Sequence, residues 1–319
     1  MIISASRRTD IPSCYSEWMY HRLKEKYVLV RNPMNSRQIS KIDLSPDVVD
    51  AIVFWTKNPA PMMERLDELS AYRYYFQFTL TAYGPEVETN LPSKNKIVIP
   101  AFQRLSKEIG KEKVIWRYDP IFFSERYTME YHCRYFNVLA AKLGGYTETC
   151  TVSFLDFYRN TERRLKPLGI RKDTLAMRTE LMGRFAQTAS EYGFRINTCA
   201  EEGDFTSMGI GRASCIDRER IERIGGFRLN VSKDKNQRAE CGCVSSVDIG
   251  AYHTCKNGCI YCYANASEQA AFKNAAKHDP NSPLLFGTID EADRIIEKEA
   301  KSLVERQMTL EDWNENRNQ

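Results

Sequence analysis

The 319-residue sequence has no long apolar run. Its cleanest stretches, such as Ala51 to Trp55, fall far short of the roughly 20 residues a helix needs to cross a bilayer, so no membrane association is expected. It also lacks the charged segment and long apolar stretch of a signal peptide. The chain opens with the strand-like run Met1 to Ser6, and Arg7 and Arg8 follow the apolar residues, the wrong order for a twin-arginine signal. A cytoplasmic location is the resulting expectation. Net charge is small, +4 from 46 basic and 42 acidic residues. That argues against strong non-specific nucleic-acid binding and leaves room for a local basic site. There is no internal repeat, and charged residues at 28% are ordinary for a folded soluble chain.

Cysteine is plentiful, with ten residues, and unevenly placed. In a reducing compartment disulfides are not expected. Cys14, Cys133 and Cys150 are scattered and read as small buried hydrophobes. The other seven fall between Cys199 and Cys262, which packing does not explain.

Short β-rich runs alternate with helical stretches. Strands are expected at Ile2–Ser6, Val28–Arg31, Ile52–Thr56, Tyr74–Thr81, Val114–Tyr118, Thr149–Ser153, Phe194–Thr198 and Val247–Ala251. Helices are expected at Ser13–Lys26, Pro61–Ala71, Ala101–Gly110, Thr128–Leu143 and Asp173–Tyr192, the last closed by Gly193. Such alternation implies parallel strands with crossover helices, and seven or eight units fit a (β/α) barrel spanning residues 1–306, followed by a polar tail over 307–319. Polar residues gather after the strands, where parallel α/β folds bind ligands: Arg7, Arg8 and Asp10, then Lys57 and Asn58, then Arg117 and Asp119. Each alone reads as a helix cap or exposed loop residue. Together the basic groups suggest a shared site for an anion.

The strongest motif is Cys255, Cys259 and Cys262, spaced CxxxCxxC between a predicted strand and a helix starting near Asn265. Three thiolates on one short loop suit three irons of a 4Fe–4S cluster and leave the fourth iron without a protein ligand. Gly258 permits the tight turn. Zinc is the alternative, with His253 or Cys243 as a fourth ligand; a redox disulfide at Cys259 and Cys262 is a weaker one. Cys199, Cys215, Cys241 and Cys243, in the region 199–244, suit a second, fully ligated cluster, a structural zinc, or simple packing.

The Cys255–Cys262 spacing resembles the radical S-adenosylmethionine superfamily, and the run from Cys259 through Tyr263 to Asn265 is similar to its spore photoproduct lyase branch. Ser4 to Asp10, Phe54 to Pro59, and Cys241 and Cys243 leading into Asp248 to Tyr252 resemble a bacterial domain of unknown function numbered 1848. The superfamily resemblance implies that the three cysteines bind the cluster and that the open iron chelates S-adenosylmethionine. It further implies that Tyr261 lies against the adenine, and that a reductase or flavodoxin-type protein donates electrons. The superfamily's motif usually follows the first strand, so its late position here implies a circular permutation, with Val247–Ala251 as the first strand and Ile2–Ser6 next in space. A Gly-Gly-Glu segment of the kind that often binds the cofactor amine is absent. Arg7 and Lys57 are the candidates for cofactor binding, and Arg8, Arg117 and Asp119 for the substrate. Two other functions stand beside this one: a zinc-dependent hydrolase, and a zinc- or cluster-stabilised nucleic-acid-binding or repair accessory protein using Arg7, Arg8, Arg31 and Arg37 with Trp55 and Trp116.

Overall fold

The central strands are nearly continuous apolar runs, such as Ala51–Thr56, buried on both faces as parallel strands commonly are. The computed structural model describes residues 1–305; the tail expected over 307–319 lies outside them. In chain order the strands are β1 (Ile2–Ala5), β2 (Tyr27–Asn32), β3 (Asn35–Asp43), β4 (Ala51–Thr56), β5 (Tyr74–Thr79), β6 (Val114–Ile121), β7 (Thr149–Phe154), β8 (Arg195–Thr198), β9 (Gly211–Arg212), β10 (Val247–Asp248) and β11 (Arg294–Glu297). Eight of them form one sheet in the order β10-β1-β4-β5-β6-β7-β8-β9, and every neighbouring pair is parallel.

One face carries Ile3, Ile52, Phe54, Phe76, Phe78, Trp116 and Val152, and it packs against Trp18, Phe102, Phe136 and Phe185 of the crossover helices. Those helices span Ser16–Glu25, Ile99–Ile109, Met129–Leu143 and Leu175–Glu191. Phe136 stacks on Trp116 at 4.9 Å and on Phe185 at 3.8 Å. Full burial of each such ring contributes about 1.5–3 kcal/mol. Thr128 and Thr174 cap two of the helices through their side chains. Gly193, at φ +71°, ends the last of them as expected.

The opposite face carries Ile2, Val53, Trp55, Tyr75 and Ile115, and it is covered by the cysteine-bearing segment from Cys215 to Val244. Tyr75 and Gln77 both donate to the Cys215 carbonyl, at 2.7 and 2.9 Å. That segment bears on the expected barrel. Between β9 and β10 the chain runs back across the sheet, and those two strands, two residues each, remain edges with no ladder between them among the described residues. The observed architecture is therefore an open parallel sheet and not a closed ring. The expected adjacency of the Val247 strand and the first strand does occur, with Ile3 opposite Val247 and Ser4 opposite Asp248.

Three other expectations are corrected. The strand expected at Val28–Arg31 is not in the main sheet: as β2 it forms an antiparallel hairpin with β3, and β11 joins this second sheet. Pro33 sits in the turn between β2 and β3. The helix expected over Ser13–Lys26 is interrupted at Tyr15, whose φ of −145° lies outside the helical region. The helix expected over Pro61–Ala71 is a single turn, Ala60–Met63, followed by a 3-10 turn at Leu66–Leu69. No helix among the described residues is long and apolar enough to cross a membrane.

His132 is fully buried beneath this core. Its Nε2 donates to the Phe122 carbonyl at 2.9 Å, and its Nδ1 accepts from Tyr118 at 3.0 Å, so the ring is neutral. Burial pushes its pKa down to about 4. The unfolded chain binds this proton below about 6.5 and the folded chain does not, so the stabilisation is complete above pH 6.5 and is lost as pH falls toward 4. The difference is on the order of 3 kcal/mol. Urea unfolding of wild type and His132→Gln at pH 7 and pH 4.5 checks this. The variant is expected to be less stable at pH 7 and to lose less stability between the two values.

Candidate functional site

The Cys255–Cys262 loop is held by a strand-like contact with residues 87–90, just beyond β5. Ile260 donates to the Val87 carbonyl at 3.0 Å and Asn90 to the Asn257 carbonyl at 3.2 Å, and the Asn90 side chain donates to the Lys256 carbonyl at 3.0 Å. Gly258 has φ +68°, and a β-carbon there would lie 2.8 Å from Asn90 Nδ2, so both the turn and the close approach require glycine. From the other side, Asn257 donates to Asp10 at 2.8 Å, and Asp10 also accepts from the Lys57 backbone at 2.8 Å. Asp10 thus joins the ends of β1 and β4 to the cysteine loop. Asp248 of β10 accepts from Ser4 at 2.9 Å, Ser6 at 2.6 Å and the Arg7 backbone at 2.8 Å.

Beside the loop lies a buried carboxylate, Glu88, with its side chain 1% exposed. It accepts from Lys57 at 2.7 Å, Lys94 at 2.5 Å, Thr81 at 2.9 Å and the Tyr261 hydroxyl at 2.5 Å. Burial opposes its charge, but Lys57 and Lys94 prevail and hold its pKa at about 2. Tyr261 is consequently turned inward: its ring is buried and lies 6.1 Å from Tyr83. At the third cysteine, Tyr263 is the more exposed aromatic; it lies 5.5 Å from Tyr158 and donates to the Arg7 carbonyl at 3.1 Å.

Cys255, Cys259 and Cys262 interact electrostatically with one another. Burial pushes the Cys259 thiol well above its ordinary value against the pull of Lys57, and pushes Cys262 up to about 11. Cys255 is raised by a hydrogen bond with Cys14 and by burial. All three are thiols at neutral pH, and binding a metal must release their protons. The two candidate fourth zinc ligands sit in different surroundings. His253 Nδ1 accepts from the Ala266 backbone at 2.8 Å, and Cys243 belongs to the other thiol group.

That other group is a chain of contacts. Cys199 and Cys215 sulfurs are 3.1 Å apart, and Cys215, Cys243 and Cys241 are linked in turn by side-chain hydrogen bonds. The backbone N–H groups of Cys215 and Ile216 donate to Cys243 Sγ at 3.2 and 3.3 Å. Arg117 Nη1 donates to Cys215 Sγ at 2.9 Å. The hydrogen bond from Cys243 lowers Cys241 to about 7. Among the described residues, no three His, Cys, Asp or Glu side chains already converge as a group that could hold a metal ion.

The expected basic set divides. Lys57 faces Cys259, with its ammonium 5.5 Å from the Tyr261 ring centre. Arg7 and Arg117 face the second thiol group, and each guanidinium lies 5.4 Å from the Trp55 ring centre. Arg117 pairs with Asp119 at 2.5 Å. Arg8 lies at the end of β10, 3.8 Å from Asp248 and 5.2 Å from the Tyr252 ring centre. Lys57 thus lies nearer the first thiol group and Arg7 and Arg117 nearer the second, with Asp119 coupled to both Lys57 and Arg117. The alternation of the sheet explains part of this, because Arg117 shares the face of Ile115 and Trp55. Sequence reasoning did not find Glu88, Lys94 or the Cys14 contact. Glu88 sits in an unremarkable polar loop, and Cys14 lies far from its partner in sequence.

With the geometry in view, comparison with known proteins places the chain in a family. Residues 2–264 match DUF1848, described as a domain of unknown function. The chain belongs to the DUF1848 family. The match takes in all seven late cysteines. Curated proteins give no match. Among solved structures, a "putative alpha-L-fucosidase" from Bacteroides thetaiotaomicron VPI-5482 aligns at 13% identity and a TM-score of 0.24 over 57% of this chain and 73% of that one.

Glu88 offers a direct check on this site. Removing one partner of a buried charge network leaves the others uncompensated, so Glu88→Gln is expected to cost about 3 kcal/mol in urea unfolding. Adding Lys94→Met should recover part of the loss by removing one of the stranded cations.

Proposed function

We propose that this DUF1848 protein is a radical S-adenosylmethionine enzyme. Cys255, Cys259 and Cys262 would hold a 4Fe–4S cluster with one open iron, and Cys199, Cys215, Cys241 and Cys243 a second, fully ligated cluster. The observation that carries this reading is the division of the seven late cysteines into two sets: Cys255, Cys259 and Cys262, electrostatically coupled on one loop, and Cys199, Cys215, Cys241 and Cys243, linked by side-chain contacts against the sheet. The parallel pairing of β10 with β1 further supports a permuted radical S-adenosylmethionine core, in which the cluster loop follows the topologically first strand.

When bound and reduced, a cluster held by Cys255, Cys259 and Cys262 would supply the electron for reductive cleavage of S-adenosylmethionine and, through it, hydrogen abstraction from substrate. The chain's own residues do the rest. Lys57, paired with Glu88 at 2.7 Å, sets a buried positive charge beside Cys259, where it favours the thiolate. Arg164 donates to the Cys262 carbonyl at 2.6 Å and steadies the loop. Tyr83, Phe122 and Tyr127 pack beside Cys259 and exclude water from that side. Arg7 and Arg117, with Asp119 orienting Arg117, present positive charge from the other thiol group, and Arg8 extends it to the rim. This arrangement favours an anionic substrate. Electrons would come from a reductase or flavodoxin-type donor.

Anaerobic purification, reconstitution and reduction with S-adenosylmethionine test the proposal. Wild type is expected to bind about eight irons per chain and to release 5′-deoxyadenosine. The Cys255→Ala, Cys259→Ala, Cys262→Ala triple variant should keep about half the iron and release none. Zinc without iron in anaerobically grown protein would refute the reading.

A further inference from the structure

The second thiol group sits against an unusual wall. Arg117 is buried, and its Nη1 donates to both Cys215 Sγ, at 2.9 Å, and Gln77, at 3.3 Å. Arg7 is coupled electrostatically to Cys243 and Cys215. Its nearest acid is Asp234, at 3.9 Å, and its Nη2 is buried with no hydrogen-bond partner among the described residues. Trp55 lies between these cations in sequence position and in contact, and its indole Nε1 is likewise buried and unpartnered. Buried donors without acceptors are costly and uncommon in folded proteins. Two of them, on residues that touch each other beside four thiols, call for an acceptor that the described residues do not provide.

We infer that Arg117, Arg7 and Trp55 form the hydrogen-bonding, cationic wall of the group held by Cys199, Cys215, Cys241 and Cys243, and that they set its reduction potential. This rests on the reading of those cysteines as a cluster site. Four thiolates outweigh the positive charge of a 4Fe–4S core, and reduction adds one more negative charge. A cation or N–H donor held at the sulfurs stabilises the reduced form more than the oxidised form and raises the potential. Arg117 is partly neutralised by Asp119 at 2.5 Å, and Arg7 by Asp234 at 3.9 Å together with its coupling to Asp248. The N–H groups of Cys215 and Ile216 on Cys243 Sγ act in the same direction.

The test uses full-length protein carrying Cys255→Ala, Cys259→Ala and Cys262→Ala, so that the second site alone is filled. Its potential is read by a redox titration followed by electron paramagnetic resonance, with iron counted in each sample. Arg7→Gln, Arg117→Gln and Trp55→Phe are each expected to retain the iron of the parent and to titrate at a lower potential. Arg117→Lys should fall between parent and Arg117→Gln. Trp55→Phe keeps the ring and removes only the N–H, so it remains informative if Arg117→Gln fails to fold. Full iron with an unchanged potential in both Arg7→Gln and Trp55→Phe would overturn the inference while leaving the cluster reading intact. A parent that binds no iron at the second site would overturn the cluster reading and the inference together.

Discussion

A buried negative charge must be paired, and Glu88 is paired from several directions at once. Its carboxylate joins Lys57 at the end of β4, Lys94 and Thr81 beyond β5, and Tyr261 inside the cysteine loop. The neighbouring backbone, residues 87–90, carries the ladder that holds that loop in place. One ionised side chain therefore registers the strand ends, a lysine beside Cys259 and the turn that presents three thiols. Breaking a network of this kind exposes the remaining charges to a low-dielectric interior, so the arrangement has little freedom to drift.

The same economy of contacts explains how residues from both ends of the chain meet. Asp248 gathers Ser4, Ser6 and the Arg7 backbone, and Asp10 gathers Asn257 and the Lys57 backbone. Gly250 fits because a side chain there would run into Ser6. These short polar ties lock β10 onto β1, and the loop that follows β10 is carried to the strand ends with it.

Much of this was legible in the sequence. β4, β5 and β6 are apolar and β-rich enough to be found from sequence, with ends within three residues of those observed, and the CxxxCxxC spacing marks the loop that carries three thiols. The second group was legible as a surplus of cysteines, though not as a chain of contacts against the face of the sheet opposite the crossover helices. What was missed has physical causes. β3 begins with a polar, exposed stretch, and β9 is two residues long, so neither carries a period that stands out. Ring closure was inferred from element count, and no count shows that the segment between β9 and β10 spends its length covering the sheet. Cys14 reads as an isolated small hydrophobe until the fold sets it beside Cys255.

The central claim is that Cys255, Cys259 and Cys262 leave one iron open to S-adenosylmethionine. The most direct measurement is the electron paramagnetic resonance spectrum of reduced Cys241→Ser, Cys243→Ser protein, recorded with and without S-adenosylmethionine. The account predicts a four-iron signal whose line shape changes when the cofactor is added, because the cofactor ligates the cluster itself. A signal indifferent to the cofactor, or no iron signal at all in protein that folds normally, would contradict it.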